Sequence, residues 1–288
     1  MIAAASPRAL EDAHKHCAAL AREHAHDEWL GALYVEPRAR DALLALASFD
    51  YEIRQARFRA RDTNVAALRL SWWRGVVASE RDAEAAGSPV ALALRKAMED
   101  FALPRAWLEA MLDGQLTELA PDAPFNLADF QTFAEESEGA RLRLASCVAA
   151  GGRDLDTANA WASGGIAFAI RRLLATLPFK AGRALILFPA DVAERHRARA
   201  ADFEAGRATE NVLAACAEMR ALARENLAEA ERRLDASPPD IAPAFAPLGP
   251  LRLDLDRLER TAAKPFEPVR EVLPLQRQWA IWRWVRRH

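Results

Sequence analysis

Histidine and cysteine are the side chains best suited to zinc binding or nucleophilic catalysis, and their spacing in this sequence supports neither. Four histidines lie near the N-terminus: His14, His16, His24 and His26. No two of them are three or four residues apart, as two zinc ligands on one helical face would be. The chain has no glycine-rich phosphate loop, nucleophile elbow or HExxH motif. We therefore interpret these histidines as solvated surface residues and expect no metal site.

A second feature is the long segment from Thr157 to Ala190, which contains no Asp or Glu. It carries Arg171, Arg172, Lys180 and Arg183, in a chain of which 28% is charged. A segment of this length can lack Asp and Glu by chance, so the lack of acids bears on function only together with other evidence.

The composition bounds the fold and the compartment. The 288 residues are 51% hydrophobic, with Ala and Leu dominant and few β-branched residues, which favours helices over strands. The net charge of −2 and the absence of a basic run argue against nucleic-acid binding. Three scattered cysteines, Cys17, Cys147 and Cys216, indicate a reducing compartment, so we expect a cytoplasmic protein. The N-terminus does not have the pattern of a secretory signal.

Helical patterns follow one another along the chain with short breaks. Apolar residues recur at helical spacing from Leu10 to about Leu30, and a long helix is predicted from about Glu210 to Leu234. Asn126 and Asp129 are suited to cap the helix that follows them. The prolines between 238 and 250 are interpreted as a stiff turn, since too little chain follows for a second core. We expect one all-α domain over residues 1–288.

Three stretches resemble the squalene/phytoene synthase family of all-helical isoprenoid synthases. Residues 103–119 (LPRAWLEAMLDGQLTEL) are similar to its central helix, and residues 130–146 (FQTFAEESEGARLRLAS) to the helix with its characteristic glycine. Residues 164–192 are similar to the helix that ends in a basic turn and a Leu-Pro pair. The resemblance runs from about residue 10 to the end of the chain. It implies a single-domain isoprenoid synthase-type bundle of helices around a central cavity.

Active members of this family hold Mg²⁺ with two DxxxD-type motifs that face each other across the cavity, and the ions bind a diphosphate leaving group. In the first motif region of this chain, the acids are Asp50 and Glu52, but the residues four positions later are Arg54 and Ala56. Asp50 and Arg54 can pair along the helix. The second region, about 170–180, has no acid. The resemblance implies that both motifs are disabled, that Asp50 and Glu52 are a catalytic remnant, and that no cofactor binds.

The altered positions resemble a subgroup that includes the assembly factor of mitochondrial respiratory complex I. The similarity lies in residues 49–52 (FDYE), 72–73 (WW) and 173–180 (LLATLPFK). It implies a non-catalytic role in respiratory complex I assembly, or a related membrane-associated role, with respiratory complex subunits or an isoprenoid lipid as partners. Two alternatives stay open: a Mg²⁺-dependent transferase that joins two prenyl diphosphates head to head, and a non-catalytic isoprenoid- or lipid-binding protein. The acids available to such a transferase are Asp50, Glu52, Asp113 and Glu118.

Five arginines are the candidates for binding a diphosphate or a lipid headgroup. They are Arg69, Arg74, Arg171, Arg172 and Arg183. Guanidinium groups bind such anions without a metal. Exposure, or pairing with acids elsewhere in the chain, is the simpler alternative for them.

The last predicted helix combines tryptophan and arginine, in residues 276–288 (QRQWAIWRWVRRH). The pattern is typical of a helix at a membrane interface, and equally of a terminal helix packed on a core. Under the first interpretation Trp279, Trp282 and Trp284 make peripheral contact with the inner membrane. The longest uncharged run, Thr157 to Ile170, is too short to cross a bilayer.

Overall fold

The structure is a computed structural model that describes residues 6–58, 63–119, 126–155, 159–179 and 187–288, without the side chains of residues 57 and 58. These residues form α-helices and no strand, which confirms the all-α prediction. The helices are α1 (Pro7–His24), α2 (His26–Ala32), α3 (Pro37–Phe58), α4 (Thr63–Val77), α5 (Asp82–Ala86), α6 (Pro89–Asp100), α7 (Arg105–Thr117), α8 (Leu127–Ala134), α9 (Ala140–Ala149), α10 (Ala160–Thr176), α11 (Ala190–Arg195), α12 (Ala200–Glu204), α13 (Glu210–Asp235), α14 (Leu248–Arg260) and α15 (Pro274–Arg287). A π-helical turn, Glu135–Gly139, joins α8 to α9.

The predicted helix boundaries hold where a capping side chain or a proline marks them. Asn126 and Asp129 form a reciprocal capping box at the start of α8. Thr209 caps α13, which runs close to the predicted bounds. The first helix, predicted as continuous to Leu30, is instead divided at Ala25, where φ is −135° and ψ is 55°. Neither Gly nor Pro marks that break, so the sequence pattern predicted one continuous helix across it.

The buried apolar residues form two clusters, one on each side of α9. Helices α1, α3, α4, α6 and α7 build the N-terminal cluster, which includes Phe49 and Leu112. Helices α8, α10, α13 and α14 build the C-terminal cluster, which includes Ile170 and Phe245. The proline segment belongs to the second cluster, because it forms a buried 3-10 helix, Pro239–Phe245. That is the stiff turn that the prolines predict.

Glycines allow the middle helices to approach closely. A Cβ at Gly165 of α10 would clash with the backbone of Gly139 in the π-helical turn, and one at Gly114 of α7 would lie 2.6 Å from the Cβ of Ser137. Only glycine permits such backbone contact. The crossing places the π-helical turn between α7 and α10, and thereby sets the position of its buried side chain, Glu138.

Helix α15 packs on the core along one face. Ile281 and Trp284 are buried, and a Cβ at Gly249 of α14 would lie 2.8 Å from the carbonyl oxygen of Ala280. The prediction that Trp284 contacts a membrane is therefore wrong, since its side chain faces the core at 6% exposure. Trp279 lies on the opposite face and is 58% exposed. Within the part of the chain that the structure describes, no helix is long and apolar enough to span a membrane.

Candidate functional site

The candidate site begins with the predicted pair on α3. Arg54 Nε donates to Asp50 Oδ2 at 2.8 Å, as their spacing of four residues predicts. The same guanidinium reaches across to the π-helical turn, where its Nη2 lies 2.9 Å from Glu138 Oε2. The Glu138 side chain is only 5% exposed. Arg54 therefore bridges two carboxylates from different elements inside the bundle.

A second arginine reaches the same carboxylate from α10. Arg172 Nη1 lies 2.6 Å from Oε1 of Glu118, which follows the end of α7, and its Nε lies 3.3 Å from Glu138 Oε1. The Glu118 side chain is 2% exposed. Arg172 thus ties α7, the π-helical turn and α10 together, at the place where the glycines bring these elements into contact.

Arg141 of α9 is the third base. Its Nη1 donates to Glu28 Oε1 of α2 at 2.8 Å, and its Nε lies 3.4 Å from Glu138 Oε2. The guanidinium also lies over the ring of Phe168, 5.0 Å from the centroid. We call the seven residues joined in this way the central ion network: Glu28, Asp50, Arg54, Glu118, Glu138, Arg141 and Arg172.

The charges of the central ion network stabilise one another in a buried setting. Burial alone would raise the pKa of Glu138, but Arg54, Arg172 and Arg141 together lower it to about 2. Burial would lower the pKa of Arg54, yet Asp50 and Glu138 raise it well above the usual value. At Glu28 burial prevails over Arg141 and raises the pKa of the carboxyl group. Glu138 is therefore ionised at neutral pH and is the hub of the network.

Mg²⁺ does not fit these residues. The carboxylates of Asp50, Glu118 and Glu138 face guanidinium groups at hydrogen-bonding distance, and Arg54 stands four residues after Asp50, where a metal motif would carry an acid. A divalent ion would have to displace an arginine from a buried site and leave that cation unpaired. Among the described residues, no three or more His, Cys, Asp or Glu side chains are grouped so as to hold a metal ion.

The end of α10 after Arg172 and the 3-10 turn that follows it, Leu177–Phe179, contribute leucines to the core. Leu173, Leu174 and Leu177 are all buried in the C-terminal cluster. These positions fall within the second motif region, where the resemblance would place metal-binding acids. The acid-free segment is thus, in its described part, a core helix with two paired arginines.

The five predicted anion-binding arginines do not converge on one place. Arg74 pairs with Asp113, Arg171 Nη2 lies 2.8 Å from Asp254 Oδ2, and Arg172 belongs to the central ion network. Arg183 lies outside the described residues. Arg69 lines a cavity of about 380 Å³ between α1, α3, α4 and α6, together with Glu52, the other predicted acid of the first motif. Arg74, Arg171 and Arg172 are therefore paired with acids, which was the simpler of the two interpretations of these arginines.

A smaller set of ion pairs fixes α15 beside the central ion network. Arg277 pairs with Asp27 of α2, and its Nη1 donates to Asp254 Oδ1 of α14 at 2.9 Å. Asp254 also accepts from Arg171. Asp27 directly precedes Glu28, and Arg171 directly precedes Arg172. Asp27 and Arg171 thus belong to the smaller set of ion pairs, while the residues next to them on α2 and α10 belong to the central ion network.

The sequence did not single out Glu28, Glu138 or Arg141. The only signal for the last two is the spacing of three residues between them in EESEGARLR. That pattern is also typical of an exposed helical face, and Glu136, two residues from Glu138, is indeed exposed. Burial of the pair becomes evident only from the tertiary contacts of the π-helical turn.

Comparison with known proteins explains this architecture. The squalene/phytoene synthase family model matches residues 4–281. The chain belongs to this family. Among solved structures, a dehydrosqualene synthase in complex with ligand has a TM-score of 0.81 at 13% identity, covering 96% of both chains. Squalene synthase HpnC from Alicyclobacillus acidocaldarius has a TM-score of 0.73 at 19% identity, covering 91% of this chain and 98% of that one. These likenesses confirm the isoprenoid synthase-type fold.

Two curated relatives of this family member are mammalian. The Rattus norvegicus protein named NADH dehydrogenase (ubiquinone) complex I, assembly factor 6, is 25% identical over 98% of this chain and 86% of its own length. The Homo sapiens protein of the same name is 24% identical over the same shares. The predicted resemblance to the subgroup with the complex I assembly factor is thereby confirmed.

Proposed function

We propose that this protein is a non-catalytic member of the squalene/phytoene synthase family that acts in the assembly of respiratory complex I, without a metal cofactor. The observation that carries the proposal is the central ion network. Arg54 pairs with Asp50 and Glu138 where an active family member would bind metal through opposed acids. The names of the curated relatives support the assembly role, and subunits of the respiratory complex are the proposed partners.

Electrostatics explains why the arginines cannot replace the metal ions. The central ion network has four acids and three arginines, hence a formal charge of −1. A prenyl diphosphate carries about three negative charges and gains more as the carbon–oxygen bond breaks. Binding it here would require the guanidiniums to release carboxylates that are themselves buried, which costs several kcal/mol per ion. The interior is therefore suited to hold helices together rather than to stabilise a leaving group.

Turnover of a prenyl donor tests the first half of the proposal. Purified protein incubated with farnesyl or geranylgeranyl diphosphate and Mg²⁺ is expected to release no pyrophosphate above the blank, and adding Mg²⁺ alone is expected not to raise the unfolding temperature. An active squalene or phytoene synthase assayed in parallel is the positive control. Pyrophosphate release that disappears with EDTA would contradict the proposal and favour the head-to-head transferase.

The assembly role has its own test. A strain that lacks this protein is expected to lose NADH:quinone oxidoreductase activity and to accumulate subcomplexes on native gels. A Glu52→Gln variant, altered at the remnant acid outside the central ion network, is expected to restore activity like the wild type, because no catalytic acid is required. An unchanged level of complex I in the deletion strain would refute the assembly role and leave the absence of turnover untouched.

We further propose a cytoplasmic location with peripheral contact at the inner membrane through α15. Its outer face supports this proposal: Leu275 and Trp279 are 79% and 58% exposed, and the Trp279 ring stacks on Trp282 at 4.6 Å between centroids. The guanidinium of Arg286 lies over the Trp282 ring at 4.7 Å. Aromatic rings beside cations favour the headgroup region of an anionic bilayer.

Vesicle flotation tests the membrane contact. The wild type is expected to float with vesicles that contain an anionic phospholipid, and Trp279→Ala is expected to weaken the association because it removes an exposed aromatic ring from the outer face of α15. Trp107→Ala, at a half-buried tryptophan on α7, is the matched control. Equal flotation of the wild type and Trp279→Ala would remove α15 as the contact.

A further inference from the structure

The cavity on the other side of α3 is separate from the central ion network. Asp50 and Arg54 face the network, whereas Glu52 and Ala56, two residues further round the helix in each case, line the cavity. Its volume of about 380 Å³ falls in the range of small-molecule pockets, about 300–1,000 Å³. The first motif of α3 thus has two faces, one closed by ion pairs and one open to a pocket.

Apolar and aromatic side chains form one part of the cavity wall, and the polar side chains of His16, Glu52, Arg69 and Ser88 form the rest. Ala56 of α3, Trp72 and Trp73 of α4, and Val90 of α6 line it. The indole Nε1 of Trp72 donates to Glu84 at 2.7 Å, and the Trp73 ring meets Phe49 edge-on, with the centroids 5.1 Å apart. These contacts hold both indoles in place. The pocket therefore presents a preformed surface to an apolar group.

An apolar stripe continues from the cavity along α4. Val65 and Leu68 are 43% and 70% exposed, and they share a helical face with Arg69 and Trp72 at spacings of three, four and seven residues. Exposed aliphatic side chains beside an aromatic pocket are a feature of binding surfaces. The stripe lengthens the apolar surface beyond the pocket itself.

Arg69 provides a positive charge at the cavity. It lines the cavity, it is exposed, and no acid within the described ranges forms an ion pair with it. This distinguishes it from Arg74, Arg171 and Arg172, whose guanidiniums are paired with carboxylates. Glu52 of α3 lines the opposite wall. An anionic group is therefore attracted toward Arg69 on α4.

We propose that this cavity binds a small anionic amphiphile, with its carboxylate or phosphate on Arg69 and its apolar chain against Trp72, Trp73 and the stripe of Val65 and Leu68. This site is independent of the assembly role. The two sources of the head group, a fatty acid and an alkyl phosphate, share the chemistry that a guanidinium recognises.

Isothermal titration calorimetry of the full chain tests the proposal with decanoate and with decyl phosphate, each below its micelle concentration. The wild type is expected to bind at least one of them with a stoichiometry of one and to bind neither decanol nor inorganic phosphate at the same concentrations. The tighter of the two anions identifies the head group. No measurable heat with either one would overturn the proposal.

One charge variant and a matched control make the test specific. Arg69→Gln is expected to weaken binding by about tenfold or more, because it removes a charge-assisted hydrogen bond. Arg105→Gln, an exposed arginine on α7, is the control and is expected to leave the affinity unchanged.

Equal binding by the wild type and Arg69→Gln would refute an anionic amphiphile held by Arg69.

Discussion

Replacing Glu138 with Gln tests whether the central ion network holds the middle of the bundle together. Glu138 is the carboxylate that all three arginines share: Arg54 at 2.9 Å, Arg172 at 3.3 Å and Arg141 at 3.4 Å. Gln has nearly the same shape but no charge. The three guanidiniums would remain buried with one fewer counter-ion, so repulsion among them rises while packing changes little.

The expected loss is large for an isosteric change. Removing one partner from a buried ion pair costs about 3–5 kcal/mol, and we expect the lower end, about 3 kcal/mol, because the amide still accepts a hydrogen bond. For a chain of this size that loss lowers the thermal midpoint by roughly 6–12 °C. Urea unfolding followed by circular dichroism measures the free energy. Glu136→Gln, an exposed neighbour in the same turn, is the control and is expected to change it by less than about 0.5 kcal/mol.

The pH dependence gives a second, independent check. The pKa of Glu138 falls from 4.5 to about 2 in the folded protein. A lowered carboxyl pKa contributes stability that is complete above pH 4.5 and is lost as the pH falls toward 2. The difference between the wild type and Glu138→Gln should therefore shrink as unfolding is measured at steps below pH 4.5. If Glu138→Gln is as stable as Glu136→Gln at neutral pH, or if its deficit is independent of pH, Glu138 is not the hub.

Two further substitutions test how the helices are positioned. Gly165→Ala is expected to lower the free energy of unfolding by about 2 kcal/mol or more, because the added methyl group meets the backbone of Gly139, whereas Gly87→Ala in an open turn should cost far less; equal effects in thermal melts would contradict the close crossing. Arg277→Ala is expected to loosen α15 by leaving Asp27 and Asp254 without their shared partner, which faster cleavage by proteinase K near the C-terminus would report. Arg283→Ala, an exposed position on the same helix, is the control, and identical digestion patterns would contradict this anchoring role.

Local features of the fold were predictable because their causes are local. The capping box of Asn126 and Asp129 needs only a spacing of three residues, and the pair of Asp50 and Arg54 needs only a spacing of four. The length of α13 follows from its helical pattern and from Thr209 at its start. Each of these can be worked out from a window shorter than one helix.

The rest of the candidate site depends on contacts between distant segments. Arg74 was a candidate for an anion, and its partner Asp113 stands on another helix, so the sequence alone could not show that the charge is compensated. Glu138 lies in a π-helical turn, where the usual periodicity of an α-helix no longer tells which side chain faces inward. The family resemblance indicated that acids were missing and that Arg54 could pair with Asp50, but it did not show that Glu138 and Arg172 complete the network.

The interlocked charges in the middle of the bundle also restrict how such a chain can evolve. Changing Arg54 to an acid in one step would leave two arginines to balance five buried carboxylates, and removing Glu138 would take away the carboxylate that all three arginines share. A single substitution toward a metal-holding interior therefore costs stability. This cost opposes a return to metal-dependent catalysis. New functions are therefore favoured on the outer surfaces of the helices.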